Sequence, residues 1–416
     1  MATLCSFDGP PPEQLENQSW FTRLHRLVPG VIAGAADLDP AAVLTATVAG
    51  ASFGYSLGWV VLLCIPVLHT VFAVSSRIGQ QTGQGLIDLI REHHGRRKAV
   101  VIAFLILVVN LAMIIGDLVA VADSCSLITA QPRTYFLAAI AFVVWYLLIV
   151  GNYQKTTKAL GIMSLILIAY VVAAWRASGP LLSLASGVLI PKIAMSDAYT
   201  MGIVAVFGSL LTPDVIVWQT SSRRGLPAGL AQAHVGESHA GTFVACLVSL
   251  SAMIAASHIH VADPSGMSTR TAAEALAPFG QLGPIVFSLG IIGSGLIALP
   301  ILVASLCFAA SEAFGWESGL SIPPWRARFF FVMISVTVFV CAAVDFFSIN
   351  TIKVLYWSQV LAGIVLVPIF IYILAISNNR RLMQTPNSTA QNFWLGWAAG
   401  GMVMSNLLFL WNLLFG

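Results

Sequence analysis

In the stretch Ala36-Asp37-Leu38-Asp39-Pro40, two acids and a proline interrupt an otherwise apolar run. The stretch Leu211-Thr212-Pro213-Asp214 contains a similar interruption further along the chain. A carboxylate at the centre of a bilayer costs about 3 kcal/mol, so an acid in a membrane helix marks a candidate ion or substrate path. Each proline deletes a backbone hydrogen bond and frees carbonyls that only a polar cavity can satisfy. The two stretches therefore predict two broken helices that face one buried site.

The surrounding composition is that of an all-α integral membrane protein. Of the 416 residues, 58% are hydrophobic and only 9% are charged. Eleven apolar segments are long enough to cross a bilayer, most of them about 20 residues in length. The predicted spans cover residues 28–52, 56–76, 99–122, 134–151, 155–176, 200–222, 240–261, 283–309, 326–346, 351–376 and 393–414.

The two interruptions lie in spans 1 and 6, which are five spans apart. Because five is an odd number, the two halves of the chain run in opposite directions. Broken helices at equivalent positions of two inverted repeats indicate a transporter site near the bilayer midplane. We predict a LeuT-type fold with repeats at about 28–176 and 200–376, unwound at Asp39–Ala42 and Ser209–Pro213.

The rest of the chain adds no further domain. Residues 1–27 are predicted to form a cytoplasmic tail, residues 28–376 the transporter core, and residues 377–416 a loop with a peripheral eleventh helix. In the loop after span 2, apolar and charged residues alternate at 86–92 as in a short amphipathic helix on the cytoplasmic surface, which we interpret as a connector.

Lys and Arg are unequally distributed between the loops of the two sides. With a cytoplasmic N-terminus, fifteen of the 20 basic residues face the cytoplasm, leaving Arg133, Arg176, Lys192, Arg270 and Lys353 outside. This asymmetry predicts N-in, C-out topology, and we expect a bacterial inner membrane. The net charge of +3 follows from the same asymmetry and indicates no nucleic acid partner.

Enzymatic function has no support in the sequence. HExxH and P-loop motifs are missing, and no serine has a plausible base nearby, so no catalytic residue, nucleotide or cofactor is predicted. The six cysteines are scattered, mostly within apolar spans, and show no metal-binding spacing. The predicted partners are a transported ion and the lipid bilayer, whereas protein partners are unknown.

Several stretches, taken in chain order, resemble the Nramp metal-ion transporters. Residues 28–42, beginning Val-Pro-Gly, resemble the family's first helix, whose signature is Asp-Pro-Gly-Asn. Residues 77–86 resemble the loop after helix 2, residues 208–214 the helix 6 segment Gly-Ala-Thr-Val-Met-Pro-His, and residues 357–361 helix 10. The resemblance covers residues 28–376 and implies a LeuT-type fold that carries a divalent metal cation as its substrate.

The resemblance also implies which residues bind the metal. Asp39 falls on the family's metal-binding aspartate, and the carbonyls of Ala36 and Ser209 fall on two backbone ligands. The signature asparagine is Ala42 here, and the helix 6 methionine is Thr212. Thioethers select softer metals, whereas oxygen ligands and retained waters suit magnesium. These departures resemble the Nramp-related magnesium transporters more than the manganese and iron branch.

The family's proton-transfer residues are largely replaced. Its helix 3 pair Asp-Leu-Ala-Glu corresponds to Asp117 and Ala120, an earlier glutamate to Asn110, and two helix 6 histidines to Asp214 and Gln219. We therefore expect metal transport without proton coupling. Asp117 leaves the question open, because a lone intramembrane acid can carry a proton or be paired within the bundle.

Three further polar residues have competing interpretations. Asp37 points about 160–200° away from Asp39 on an intact helix, so it is predicted to face water or cap a helix rather than bind metal. Asp214 either caps the restarting half-helix or attracts the ion. Gln359 lies either near the transport path or in a hydrogen bond between helices.

Two other function classes remain open at the level of sequence. The missing amide and thioether ligands also suit a receptor-like or regulatory protein that kept the fold and lost metal transport. Related inverted-repeat folds bind small organic solutes at helix breaks, so solute transport is the other alternative. Direct binding of a divalent ion separates the metal transporter from both.

Overall fold

The fold was analysed in a computed structural model that describes residues 38–150, 165–177, 181–191, 196–224, 228–259, 267–320, 322–344 and 350–415. Every regular element in these ranges is helical. In chain order the helices are α1 (Pro40–Phe53), α2 (Gly58–Thr82), α3 (Leu86–His94), α4 (Arg96–Thr129), α5 (Thr134–Ile149), α6 (Ala169–Ala177), α7 (Leu181–Leu189), α8 (Asp197–Leu210), α9 (Pro213–Ser221), α10 (Ala228–Ala256), α11 (Thr269–Ala273), α12 (Gly283–Phe314), α13 (Arg328–Val344), α14 (Thr351–Ser377) and α15 (Thr389–Phe415). Two 3₁₀ segments, Leu165–Ile168 and Glu274–Leu282, precede α6 and α12.

The described helices coincide with the predicted membrane spans. Six helical stretches are long and apolar enough to cross a bilayer, namely Gly58–Thr82, Arg96–Thr129, Asp197–Ser221, Thr269–Phe314, Thr351–Ser377 and Thr389–Trp411. Shorter apolar helices occupy the remaining predicted spans. The all-helical class is therefore confirmed, whereas the count of eleven spans and the boundaries of the tail, the repeats and the peripheral helix stay predictions.

The second predicted break is present but narrower than expected. Helix α8 ends at Leu210, Leu211 (φ −114°, ψ 71°) and Thr212 (φ −82°, ψ 145°) are non-helical, and α9 begins at Pro213. Ser209 is still helical, so the prediction of unwinding from Ser209 onward was wrong. Proline is well suited to the first position of a helix, and it therefore ends the break by starting α9 at once.

In the described part of span 1, a proline likewise starts the helix that follows the break. Asp39 is extended (φ −73°, ψ 162°) and α1 starts at Pro40. Ala41 and Ala42 are helical, so the expected unwinding through Ala42 was also wrong. Ala36 and Asp37 lie outside the described residues, so the helix expected before Asp39 remains a prediction.

Helix packing brings the two halves of the chain into close contact. The most extensive pairing joins α4 to α12, and α14 packs on both α4 and α8. A Cβ on Gly208 would lie 1.9 Å from the backbone oxygen of Gln359, so only glycine permits this approach of α8 to α14. Small residues at such positions let membrane helices gain van der Waals contact that lipid cannot replace.

Helix α3 confirms the predicted amphipathic helix but not its exposure to the membrane surface. Its apolar residues Leu86, Ile87, Leu89 and Ile90 are fully buried and belong to the main hydrophobic core. The apolar face is therefore covered by protein rather than lipid. The reason is that α3 packs against α4 and α12.

Candidate metal site

A small cavity lies where the two helix breaks meet. Its volume is about 50 Å³, and its walls come from α1, α2, α8, α9, α10 and α12. A space of this size accommodates a few water molecules or a partly hydrated ion. The predicted residues that line it are Asp39, Ala42, Ser209, Thr212, Asp214 and Gln219.

Asp39 and Asp214 bring carboxylates to the first turns of two helices. Asp39 caps α1, and its Oδ1 accepts a hydrogen bond of 2.6 Å from the Ala42 amide. Asp214 is the second residue of α9, and its Oδ1 has no hydrogen-bond partner among the described residues. Both residues are buried, at 9% and 3% exposure. The positive ends of two helix dipoles stabilise these charges, and the unpartnered oxygen of Asp214 is available to a cation.

The break in span 6 also supplies a backbone acceptor. In an intact helix the Ser209 carbonyl would accept from the amide of residue 213, which is proline and has no N–H. The Ser209 hydroxyl donates a hydrogen bond of 3.0 Å to the Val206 carbonyl, which fixes its orientation. Ser209 therefore offers its backbone oxygen, as the resemblance implies. The equivalent carbonyl of Ala36, four residues before Pro40, lies outside the described residues.

Small and oxygen-bearing side chains occupy the positions of the replaced family ligands. Ala42 lines the cavity with a methyl group, and Thr212 precedes α9 without its hydroxyl capping the helix. Among the described residues, no cluster of three His, Cys, Asp or Glu side chains is arranged to hold a metal. An ion in this cavity would therefore depend on carboxylate, hydroxyl and carbonyl oxygens together with water.

Asp117 lies behind the cavity rather than on its wall. It is fully buried on α4, and its carboxyl interacts electrostatically with Asp39 and Asp214. Neither of its oxygens has a hydrogen-bond partner among the described residues. The structure thus brings together three acids, two of which line the cavity.

Three other predicted residues lie away from the cavity wall. Asn110 donates from Nδ2 to Ser305 Oγ at 3.0 Å and links α4 to α12. Gln359 is buried on α14, where its Nε2 lies 3.4 Å from Ser358 Oγ and its Oε1 has no partner in the described part of the chain. Ala120 is fully buried in the apolar core around Leu38. The predicted placement of these three near the path stays a hypothesis, and Asp37 lies outside the described residues.

The structure adds cavity residues that the sequence interpretation missed. Thr242 of α10 and Trp218 of α9 both line the cavity, as do Leu68 and Phe72 of α2. Thr242 is buried in a helix rich in small residues, where one more hydroxyl gives no distinctive signal. Trp218 lies four residues after Asp214, one helical turn along the same face, and this spacing could have indicated it.

Comparison with known proteins assigns the family. The family model for natural resistance-associated macrophage protein-like proteins, Nramp, matches residues 30–412. The chain belongs to the Nramp family. This Nramp chain is 25% identical over 398 residues to the divalent metal cation transporter MntH of Klebsiella pneumoniae subsp. pneumoniae, with 92% of each chain covered. Because the family consists of transporters, the prediction that the chain is not an enzyme is confirmed.

Solved structures support the same Nramp fold. The Eremococcus coleocola manganese transporter, in complex with an aromatic bis-isothiourea substituted compound, aligns with a TM-score of 0.69 at 17% identity, covering 96% of this chain and 87% of that one. MhsT in complex with L-phenylalanine aligns with a TM-score of 0.59 at 14% identity, covering 95% and 99%. The predicted LeuT-type architecture is thereby confirmed.

Proposed function

We propose that this protein moves a divalent metal cation across the membrane by alternating access, with magnesium preferred over manganese and without proton coupling. The observation that carries the proposal is the cavity at the two helix breaks, where Asp39 and Asp214 meet the carbonyl freed by Pro213. Membership of a metal transporter family supports the divalent cation as substrate.

The preference for magnesium rests on the chemistry of the cavity wall. The predicted polar residues that line the cavity offer oxygen or amide groups to an ion. By the family resemblance, Thr212 stands in the place of a methionine, which is a soft ligand. Magnesium loses its water reluctantly and is commonly held by one or two carboxylates with several waters retained. The methyl group of Ala42 leaves room for one of those waters, which an asparagine there would displace.

In this proposal each site residue has a separate role. Asp39 is held in one orientation by the Ala42 amide and contributes its second oxygen, while Asp214 adds charge and a free oxygen. The carbonyls of Ser209 and Ala36 and the hydroxyl of Thr212 complete the oxygen set. The membrane is the bacterial inner membrane, with the N-terminus in the cytoplasm and the C-terminus outside, as the distribution of basic residues favours.

Ion binding and uptake test the proposal directly. Purified protein reconstituted in liposomes should take up magnesium, and Asp39→Asn should abolish that uptake while the protein still folds and inserts. Asp214→Asn should weaken magnesium binding by roughly tenfold, equivalent to about 1.4 kcal/mol, because one carboxylate charge is removed from a buried site. Calorimetry measures the binding, and isotope or dye uptake measures the transport.

Asp197→Asn is the matched control, because Asp197 is an exposed acid at the start of α8. It should leave binding and uptake unchanged. If the unmodified protein neither binds nor moves magnesium or manganese at millimolar concentration, the metal proposal fails. The receptor-like and organic-solute alternatives would then be the ones to pursue.

A further inference from the structure

A second buried group of charges lies at the far end of α9 from the cavity. Glu312, in the last turn of α12, has a fully buried side chain. It accepts hydrogen bonds from the amides of Ile87 (3.0 Å) and Asp88 (3.4 Å), at the start of α3. It also accepts from the Ser221 hydroxyl, at the end of α9, and forms an ion pair with Arg224.

Two further ionic contacts complete this group. Arg91 donates to the backbone carbonyl of Glu312 and lies 3.0 Å from Asp88. Arg224 lies 3.7 Å from Asp88, and its guanidinium sits 5.6 Å from the centre of the Phe308 ring. We call Asp88, Arg91, Ser221, Arg224 and Glu312 the Glu312 cluster. Its two acids are balanced by two arginines, so it is an ion-pair network rather than a cation site.

The Glu312 cluster joins three elements that are distant in the sequence. Helix α12 supplies Glu312, helix α3 supplies its first-turn amides, and the end of α9 supplies Ser221. Helix α9 also begins at the cavity, with Thr212 and Asp214. The nine residues of α9 span roughly 14 Å, so a stiff helix connects the ion site to the cluster.

Aromatic contacts fill the space between the cavity and the cluster. Trp218, which lines the cavity, packs against Phe308 with ring centres 6.3 Å apart. Arg224 covers Phe308 from the side of the cluster. A displacement of the end of α9 would therefore separate Trp218 from Phe308 and open the cavity toward this end of the bundle.

We propose that Glu312 is the positioning residue of a latch, which holds the end of α9 against α12 and α3 and so keeps the cavity closed toward this end. Release of the latch frees α9 to tilt and gives the ion a way out. The basic residues of the cluster belong to the side that we expect to be cytoplasmic. The biological role of the latch rests on the proposed transport function. Whether the latch closes the cavity can be tested without any metal.

The test is the accessibility of a cysteine placed in the cavity wall. Ala245→Cys puts a thiol on α10 at a buried position that lines the cavity. A membrane-impermeant thiol reagent, applied separately to each side of membrane vesicles, measures how fast that thiol is reached. Protein without Ala245→Cys gives the background from the native cysteines.

Glu312→Gln removes the charge but keeps the shape of the side chain. It should increase labelling of the Ala245→Cys thiol by at least about fivefold, the lower end of typical coupling between sites, and from one side only. The affinity of the cavity for magnesium should change by less than about twofold. The rate of magnesium uptake should change in parallel with the rate of thiol labelling. The control is Glu317→Gln, because Glu317 lies in an exposed ion pair with Arg326, and this variant should have no effect.

A second variant tests the latch without removing a charge. A Cβ on Gly85 would lie 2.0 Å from Glu312 Oε1, while the backbone of Gly85 (φ −80°, ψ 168°) suits any residue. Gly85→Ala should therefore displace Glu312 and increase labelling in the same way. Gly400→Ala, where no atom lies within 4 Å of the added Cβ, is the matched control.

Two results would overturn the latch. One is that Glu312→Gln and Gly85→Ala both leave the labelling rate equal to that of protein carrying Ala245→Cys alone. The other is an equal increase from both sides, which would indicate general loosening. If Glu312→Gln fails to fold, Gly85→Ala decides alone. A protein that binds no metal but shows the one-sided increase would contradict the proposed function and leave the latch standing.

Discussion

At the scale of single residues, the site separates charge from selectivity. In the proposed site, Asp39 and Asp214, which both line the cavity, would supply the negative charge that attracts a divalent cation. Thr212 and Ala42 supply the parts of the wall that distinguish one cation from another, because they occupy the positions of a thioether and an amide in the family. Substitutions at Asp39 and Asp214 should therefore alter the affinity for divalent ions. Substitutions at Thr212 and Ala42 should alter the preference between magnesium and manganese.

The double variant Ala42→Asn with Thr212→Met tests this separation. It restores a soft sulfur and an amide oxygen, so we expect preference to move from magnesium toward manganese. Competition between the two ions in uptake and in calorimetry measures the shift. A protein that already prefers manganese without these changes would show that the argument from the missing methionine is wrong, although the transporter assignment would survive.

The sequence predicted the chemical groups of the site better than it predicted which residues line the cavity. The two prolines predicted the helix breaks, because proline has the same local consequence in any fold, and the family resemblance assigned Asp39 and Thr212 to the site between them. Asn110 and Gln359 lie off the cavity wall because the rotation of a helix about its own axis depends on packing, which periodicity does not reveal in helices that are apolar nearly all round. Thr242 was missed for the same reason.

At the scale of elements, the two half-helices α1 and α9 determine what the site can do. Each begins with proline after an extended residue, so each directs the positive end of its dipole toward the cavity. The proline was readable from the sequence, but the length of the break was not. Only two residues, Leu211 and Thr212, leave the helical conformation between α8 and α9.

Replacing Pro213 tests whether the break itself is required. In Pro213→Ala the new amide can pair with the Ser209 carbonyl, so α8 and α9 should tend to join into one helix. Proline already suits the first position of α9, so its replacement should change the melting temperature little, whereas metal uptake should fall sharply because the Ser209 carbonyl is taken from the ion. Thermal unfolding and uptake are measured on the same preparation.

Pro368→Ala is the control for that experiment. Pro368 lies inside the continuous helix α14, so its replacement should leave uptake unchanged. If Pro213→Ala transports as well as the unmodified protein, the freed carbonyl of Ser209 is not part of the ion path.

At the scale of the whole molecule, proton coupling requires a chain of titratable groups from the cavity to one surface. Asp117 is buried and interacts electrostatically with the two cavity acids. Two turns toward the start of α4 lies Asn110, which cannot titrate and is bonded to Ser305. The route from Asp117 along this helix is therefore interrupted.

We accordingly expect metal uptake without acidification of the liposome lumen. A pH-sensitive dye sealed inside the vesicles, read together with metal uptake, measures the ratio of protons to ions. Asp117→Asn should leave that ratio near zero. Metal-driven acidification in the unmodified protein that disappears in Asp117→Asn would instead show that one remaining acid is enough for coupling.

The pairing of Asn110 with Ser305 has a consequence for how the protein is made. The two residues are separated by 195 positions in the chain, and they join the most extensively paired helices, α4 and α12. At a synthesis rate of roughly 5–20 residues per second, the ribosome needs about 10–40 s to reach the second residue after the first. During that interval the polar face of α4 is already made but its native neighbour is not. The first half of the protein must therefore wait for the second, sheltered by the insertion machinery or by temporary partners, before its buried polar groups are satisfied.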